Sequence, residues 1–451
     1  MSYFLSMLAT TLPGPKGWPL FGNLKDMAGD RRAFMLANRR AHGDLVGYRV
    51  AFTQIVQLGH PDLIESVLVG HYRDCVKDQI TTSLDLLLGK GLLTNEGEPW
   101  RAQRKLLAPS FQPRHLSTYA ASMVANADRA VDAISDGVHD VHHLMTGITL
   151  GIVLETLFGA DPADGNAPVQ QVAKIMEAYV KEFERMHFGA GRMIPAFVPG
   201  GPVARTRRIA KDLDVIFRDL VRVRREHPPG DDMLSRMLEA RDDDGKGMTD
   251  SQLRDEAVTM FMAGHETTAV ALTYALYELA RHPEHLARLR AEVDAVCPGR
   301  APTAADVGKL TFADAFFKET MRLYPPAWII GREVARPFEL GGVTLPVGTQ
   351  ILMSQWVVHR DPRWFADPEA FTPDRWLDGL AKRLPTFAYF PFGGGPRICI
   401  GNHFAMMEGI LVLAALSRRI DVTPIPDHIL ELTPAVTLRP RGQVPLQFTR
   451  R

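Results

Sequence analysis

Cysteine is scarce in this chain. Three residues in 451, Cys75, Cys297 and Cys399, are too few and too widely spaced for a disulfide framework. An odd trio suits a reducing compartment, so the chain reads as cytoplasmic. Net charge is missing as well, because 52 Lys and Arg stand against 52 Asp and Glu. Without a basic surplus, composition offers no reason to propose a nucleic-acid partner. The apolar N-terminal stretch over residues 3–12 is shorter than the ~20 residues that span a bilayer, and it lacks the basic start of a secretion signal. No integral membrane association is expected. Internal repeats and low-complexity tracts are absent too, with Gly 37 and Pro 32 near ordinary usage.

What remains is ordinary globular composition, 46% hydrophobic and 23% charged, on a chain long enough to bury roughly three-quarters of its unfolded surface. Length alone suggests about three domains. No linker separates two self-sufficient cores, however, so residues 1–451 are expected to form a single, monomeric unit. Residues 1–20 serve it as an N-terminal arm and Pro-rich hinge.

Helical periodicity runs to about His42, and residues 45–58 then alternate as two short strands with a turn near 51–53. Helical patterns dominate to about residue 325, punctuated at 159–167, 189–202, 228–232 and 242–247. Short strands return over 332–353, and an irregular stretch leads to Cys399. The fold class is mainly α with small β-sheets (α+β). One helix stands out. Thr249 and Gln252 form a capping box, and the run continues to Arg281 before Pro283 stops it. At 1.5 Å per residue that is ~45 Å. Its middle, residues 257–263, is apolar nearly all round, which marks a helix buried on every side. A kink is expected where Gly264, His265, Glu266, Thr267 and Thr268 follow. A carboxylate there must be compensated or used; the alternative to a functional role is a satisfied core network.

The segment Phe392-Gly-Gly-Gly395-Pro-Arg397-Ile-Cys399-Ile-Gly401 precedes a helical pattern over 402–416. Consecutive glycines open backbone conformations closed to other residues and allow close approach to a flat partner. Cys399 sits at a helix amino terminus, where free N–H groups stabilise a thiolate. Such a thiolate serves as a nucleophile or a metal ligand, while inert packing is the reading for an isolated cysteine. The segment resembles the heme-binding loop of the cytochrome P-450 family, Phe-x-x-Gly-x-Arg-x-Cys-x-Gly with Ala four residues on. Phe392, Gly395, Arg397, Cys399, Gly401 and Ala405 all fit it. Three further family signatures follow in the family's order: Trp100-x-x-x-Arg104, Ala263-Gly-His-Glu266-Thr267-Thr268, and Glu319-x-x-Arg322 with Arg375 of Phe371-Thr-Pro373-Asp-Arg375-Trp376.

The resemblance implies a single large helical cytochrome P-450 fold, with heme b sandwiched between the long central helix and the cysteine-loop helix. Cys399 would be the axial iron ligand. Thiolate ligation favours cleavage of an O–O bond, and the acid–alcohol pair Glu266 and Thr267 would deliver the protons that O2 cleavage needs. Trp100, Arg104, Arg397 and Arg332 would hold the propionates. Ala263 would let the long helix pass close over the heme, Phe392 would pack near sulfur, and the N–H groups of Ile400 and Gly401 would tune it. Glu319, Arg322 and Arg375 would brace the loop. Phe261 and Met262, Ala327, Trp328, Ile329 and Ile330, and Ala435 and Val436 would wall an apolar substrate pocket, with residues 78–93 as a fourth wall. Residues 188–202, carrying Met193, Ile194, Phe197 and Val198, occupy the place of the family's access lid.

The implied activity is monooxygenation of a hydrophobic small molecule: fatty acyl, terpenoid, steroid or polyketide-like. Electrons would come from NAD(P)H through a separate ferredoxin or flavodoxin-type donor and its reductase, docking near Arg101, Lys105 and Arg114. The alternatives are a heme-thiolate isomerase or dehydratase needing no external electrons, a non-catalytic heme protein, and a heme-free cysteine hydrolase. The last lacks an identifiable partner to orient His403 as a base.

Overall fold

The computed structural model describes residues 12–160 and 198–451, together with individual positions between 172 and 194. The N-terminal arm over 3–11 and most of the expected lid, including Met193 and Phe197, lie outside the described residues. The longer helices are α1 (Arg31–His42), α2 (Gly97–Leu107), α3 (Pro113–Ala133), α4 (Val141–Phe158), α5 (Pro202–Glu226), α6 (Asp250–Arg281), α7 (Pro283–Val296), α8 (Thr311–Leu323) and α9 (Asn402–Ser417). The chain gathers into two compact units, one of residues 1–82, 318–399 and 432–439, the other of the remainder.

The first unit is built on a five-stranded sheet of order β1-β2-β8-β5-β3, from Leu45–Val50, Thr53–Leu58, Gln350–Met353, Ile330–Val334 and Cys75–Lys77. The expected hairpin is there: β1 and β2 pair antiparallel from Leu45 with Leu58 to Val50 with Thr53, and Ala51 takes the left-handed turn position at φ 52°. The inner strand β2 is buried on both faces, so its run Ile55-Val-Gln-Leu58 does not alternate. Gln57 is the polar exception, and its amide donates to the Met35 carbonyl at 2.7 Å. Val56, Leu58, Ile351, Met353 and Val334 pack with Phe387 and Phe390 in one apolar cluster. Each such side chain contributes about 1.5–3 kcal/mol on burial. Phe387 and Phe390 belong to the stretch just before the cysteine loop, so this core anchors one end of it.

The second unit is helical. The capping box read from Thr249 and Gln252 is present at the start of α6, and Pro283 opens α7 directly beyond its end. Buried residues run along α6 from Leu253 to Ala280, as its all-round apolar middle requires. The helix is unbroken through Gly264–Thr268, where the kink is expected, and the Thr267 hydroxyl donates to the Ala263 carbonyl one turn back at 2.6 Å. A hydroxyl bonded in this way often bends a helix without ending it. α4 is capped by Asp140, which accepts from His142 N at 3.1 Å, and ends at Gly159 with φ 63°. By length and composition α4 could cross a membrane, but Val141, Met145, Ile148, Ile152 and Leu157 are all in the interior. A three-stranded sheet of order β4-β12-β9, from Gly137–Asp140, Pro445–Arg450 and Ile420–Pro424, completes this unit. The remaining strands form two small pairs, β6 with β7 (Phe338–Leu340, Val343–Leu345) and β10 with β11 (Leu432–Pro434, Leu438–Pro440).

Candidate active site

The cysteine loop closes on itself. Cys399 N donates to the Phe392 carbonyl at 3.0 Å, and Ile398 N to the Gly395 carbonyl at 3.1 Å. Two glycines make the shape compulsory. Gly395 has φ +64°, and a Cβ there would lie 2.1 Å from the Leu68 carbonyl oxygen; a Cβ on Gly394 would lie 2.2 Å from the Phe387 ring. The glycine run is therefore explained first by protein packed against the loop. Of the three cysteines, Cys75 and Cys297 are buried and Cys399 alone is exposed. Burial pushes the Cys75 thiol up to about 12, so it stays protonated. Gly401 caps α9, whose first turn closes with Ala405 N on the Gly401 carbonyl at 2.9 Å; Ile400 precedes the cap.

The brace behind the loop is a buried charge network. Glu319 and Arg322 are both fully buried, and the guanidinium grips the carboxylate in a fork, Nε to Oε2 and Nη2 to Oε1 at 2.9 Å each. Arg375 Nε adds a third contact at 3.1 Å, so the three expected residues do meet. Trp376 Nε1 at 2.8 Å and Thr372 N at 2.8 Å complete the carboxylate's shell. The rest of Arg322 is spent on backbone carbonyls, of His359 at 3.0 Å, Pro368 at 2.6 Å and Ala370 at 2.8 Å.

His359 carries the connection onward. Its Nε2 accepts from Phe390 N at 3.0 Å, two residues before the loop begins. Acceptance requires neutral imidazole. Burial, helped by the charges of Arg322 and Arg360, holds its pKa well below the usual value. Tyr389 fixes the same stretch by donating to the Lys318 carbonyl at 3.0 Å. His359 falls outside the segments that the sequence marks, and Trp376 enters there only as the last residue of the Phe371–Trp376 segment, with no role of its own.

On α6 one short face stays uncovered. Ala263 is exposed and Gly264 and Thr267 are half-buried, while Met262, His265, Glu266 and Thr268 are buried. Positions four apart share a helix face, so Ala263 and Thr267 make an open notch in an otherwise enclosed helix. Two further acids, missed in the sequence reading, belong to this unit. Burial pushes the Glu408 carboxyl on α9 up to about 8, against a smaller opposing pull from the Thr268 hydroxyl. Burial likewise pushes Glu256 up to about 8, while its Oε2 accepts Leu92 N at 3.0 Å. With Asp255 Oδ2 accepting Lys90 N at 2.8 Å, the helix pins the segment expected to form the fourth pocket wall.

The other expected residues are placed as follows. Trp100 is buried on α2, and Arg104 one turn on is half-buried with its guanidinium 5.9 Å from the indole ring. Arg332 is half-buried on β5, opposite Lys77 of β3, and donates to the Gly331 carbonyl at 2.7 Å. Phe392 and Arg397 are half-buried on the loop itself. Trp328 is packed with Met35, Val357 and Leu438, and its indole N–H donates to the Ala435 carbonyl at 3.0 Å. It thus ties the 327–330 segment to the 435–436 turn. Ala327, Ile329, Ile330 and Val436 are half-buried around it. Phe261 packs edge-on against Phe217 and stacks on His265, within the helical interior.

The donor set suits an iron porphyrin. The Cys399 thiol is exposed on a closed loop, Arg104, Arg332 and Arg397 are half-buried, and Ala263 is exposed on a largely buried helix. Comparison with known proteins agrees. The cytochrome P450 family model matches residues 12–445. Cyclooctatin synthase of Streptomyces melanosporofaciens is 36% identical, covering 96% of this chain and 92% of its own. Cyclooctat-9-en-7-ol 5-monooxygenase of the same organism is 34% identical over 93% and 91%. Pentalenene oxygenase of Streptomyces avermitilis is 33% identical over 99% and 98%. Among solved structures, retinoic acid bound cyanobacterial CYP120A1 superposes with a TM-score of 0.86 at 25% identity, covering 98% of this chain and 99% of that one.

Proposed function

The chain belongs to the cytochrome P450 family, and from that premise we propose that it is a heme-thiolate monooxygenase inserting one oxygen atom from O2 into a terpenoid. The observation that carries the reading is the closed glycine loop presenting Cys399 as the exposed thiol. Heme, when bound, supplies the activation of O2. Cys399 would hold its iron, with the Ile400 and Gly401 N–H groups toward sulfur and Phe392 beside it. Arg397, Arg332, Arg104 and Trp100 would hold its propionates through charge-assisted hydrogen bonds.

The state of Thr267 refines its part. Its O–H is committed to the Ala263 carbonyl, so its lone pairs would be left to accept a hydrogen bond in the pocket. Delivery of protons would then fall to Glu266, through water. Small residues at Ala263 and Gly264 would let the helix pass close to the flat group.

For substrate, the relatives favour the terpenoid among the four classes open from sequence. Two of the names, cyclooctat-9-en-7-ol and pentalenene, describe cyclic alkene skeletons. A cyclic terpene hydrocarbon or its first alcohol fits an apolar pocket with few polar anchors. Electrons would come from NAD(P)H through a ferredoxin or flavodoxin-type donor. The basic patch proposed for it is partly neutralised within the chain, as Arg101 pairs with Glu98 and Lys105 with Asp243. Arg114 follows them in sequence and is exposed. A single monomeric domain in the cytoplasm completes the reading, supported by three cysteines that form no disulfide.

The test is the carbon monoxide difference spectrum of the dithionite-reduced protein, followed by substrate-induced shifts with cyclic terpenes. A strongly red-shifted Soret band that Cys399→Ser abolishes supports thiolate ligation. A band at the imidazole position in wild type overturns it. Spectral shifts with fatty acids or steroids, and none with terpenes, would overturn the substrate class alone.

A further inference from the structure

Among the described residues, one cluster of histidine and acidic side chains has its ligand atoms close enough to share a metal ion, and it lies outside the machinery described above. Ligand atoms of His282, Glu284 and His285 all fall within 4.8 Å of one another. The cluster is the sequence His282-Pro-Glu-His285 at the corner where α6 ends and α7 begins. Pro283 fixes the first helical turn, so the three ligands project from a short, stiff segment. His282 Nδ1 is 3.1 Å from Glu284 Oε1, and the two imidazole rings are 5.2 Å apart between centroids. A tetrahedral zinc ion with bonds of about 2.0–2.2 Å separates its ligand atoms by about 3.4 Å.

A second observation points the same way. The other ring nitrogen of His282, Nε2, lies 3.3 Å from Oε2 of Glu278, a carboxylate with 1% exposure one turn back on α6. A histidine that gives one nitrogen to a metal commonly donates its other N–H to a carboxylate, which sets the tautomer and strengthens the ligand. Glu278 is already in that place. The competing account of the same contacts is an ion pair, with protonated His282 between Glu278 and Glu284. In that account His285 is a packing residue, its ring against Phe312 and Phe316 at 5.9 and 6.1 Å between centroids.

We propose that His282, Glu284 and His285 bind a divalent zinc ion, with Glu278 as the carboxylate behind His282. Three protein ligands leave the fourth position to water. The ion would pin the end of the helix that carries Glu266 and Thr267 to the helix that follows it.

The experiment uses tag-free holoprotein, stripped with chelator and dialysed against zinc chloride at pH 7.5, with bound zinc and iron measured by elemental analysis. One zinc per heme iron is expected in wild type. His285→Asn should weaken uptake by at least ~10-fold, and Glu278→Gln by roughly 10-fold through its contact with His282 Nε2 alone. An unchanged carbon monoxide spectrum in each variant shows that the fold is intact. No stoichiometric zinc in wild type overturns the proposal, and so does equal uptake by wild type and His285→Asn.

Discussion

Glu319→Gln is the most informative single change outside the loop. The carboxylate accepts five hydrogen bonds: Arg322 Nη2, Arg375 Nε and Thr372 N on Oε1, and Arg322 Nε and Trp376 Nε1 on Oε2. A glutamine amide has one acceptor oxygen. Its better orientation puts nitrogen at the Oε2 position, which loses the Arg322 Nε and Trp376 bonds and turns N–H groups against both donors. Two lost bonds of about 1.5–3 kcal/mol each, with a buried guanidinium left short of compensation, give a cost of roughly 3–5 kcal/mol. At about 2.1 cal/mol/K per residue over a chain of this length, Tm should fall by about 3–5 °C.

The damage should also travel. Arg322 holds the His359 carbonyl, and the His359 ring holds Phe390 N, so a displaced Arg322 loosens the entry to the cysteine loop. The carbon monoxide spectrum of Glu319→Gln should therefore show a smaller fraction at the thiolate position after mild heating. Arg375→Ala is the control, since it takes only one hydrogen bond from Glu319, with the other Arg375 bonds going to the Ala366, Asp367 and Ala370 carbonyls at the rim. A Tm within 1 °C of wild type, or a larger loss in Arg375→Ala, would refute the argument.

Gly395→Ala meets the Leu68 carbonyl and a left-handed φ at once, so the variant should accumulate with little bound heme, read as the Soret-to-protein absorbance ratio. A normal ratio would mean that the loop has room the packing denies. Thr267→Val should keep substrate-induced spectral shifts while product per NAD(P)H falls by roughly 10²-fold or more. Thr267→Ser should recover much of the yield, and equal yields for valine and serine would remove the hydroxyl from the mechanism. Buried His359 predicts a pH dependence of stability. Burial, then Arg322 and Arg360, depress its folded pKa below the ordinary 6.5, so the unfolded chain takes up the proton first as pH falls. Its contribution is complete above about pH 6.5 and declines below it by up to about 1.4 kcal/mol per pH unit until the folded pKa is reached. Urea midpoints of wild type and His359→Gln at pH 7.5 and 5.5 test this, and parallel acid losses would exclude His359 as the cause.

How much was legible in the sequence depended on range along the chain. The capping box of α6, the hairpin over residues 45–58 and the helix after Cys399 rest on neighbours a few residues apart, and each formed as read. The Glu319–Arg322 pair is of that kind too, three residues apart on one helix. Its remaining partners are not. His359 lies 37 residues beyond Arg322, and Trp376 lies 57 beyond Glu319. No local pattern marks a carbonyl or an indole as the group that completes a distant charge.

Apolar residues posed a different difficulty, because a pocket wall and a core position share one composition. Trp328 was read as a wall, yet its N–H is spent on the Ala435 carbonyl and its ring on Met35 and Leu438. It ties together the 327–330 segment and the 435–436 turn, both expected to line the pocket, so its replacement should shift Ala327 and Val436 more than it removes any contact of its own. The glycines carry the same lesson at the loop. Their demand for space is plain in the sequence, but what occupies it is not: Phe387 comes from a turn seven residues before Gly394, and Leu68 from a helical turn over 66–70, far along the chain from Gly395. Tuning this loop therefore means altering Leu68, Phe387 or His359, because the motif residues leave no slack to alter.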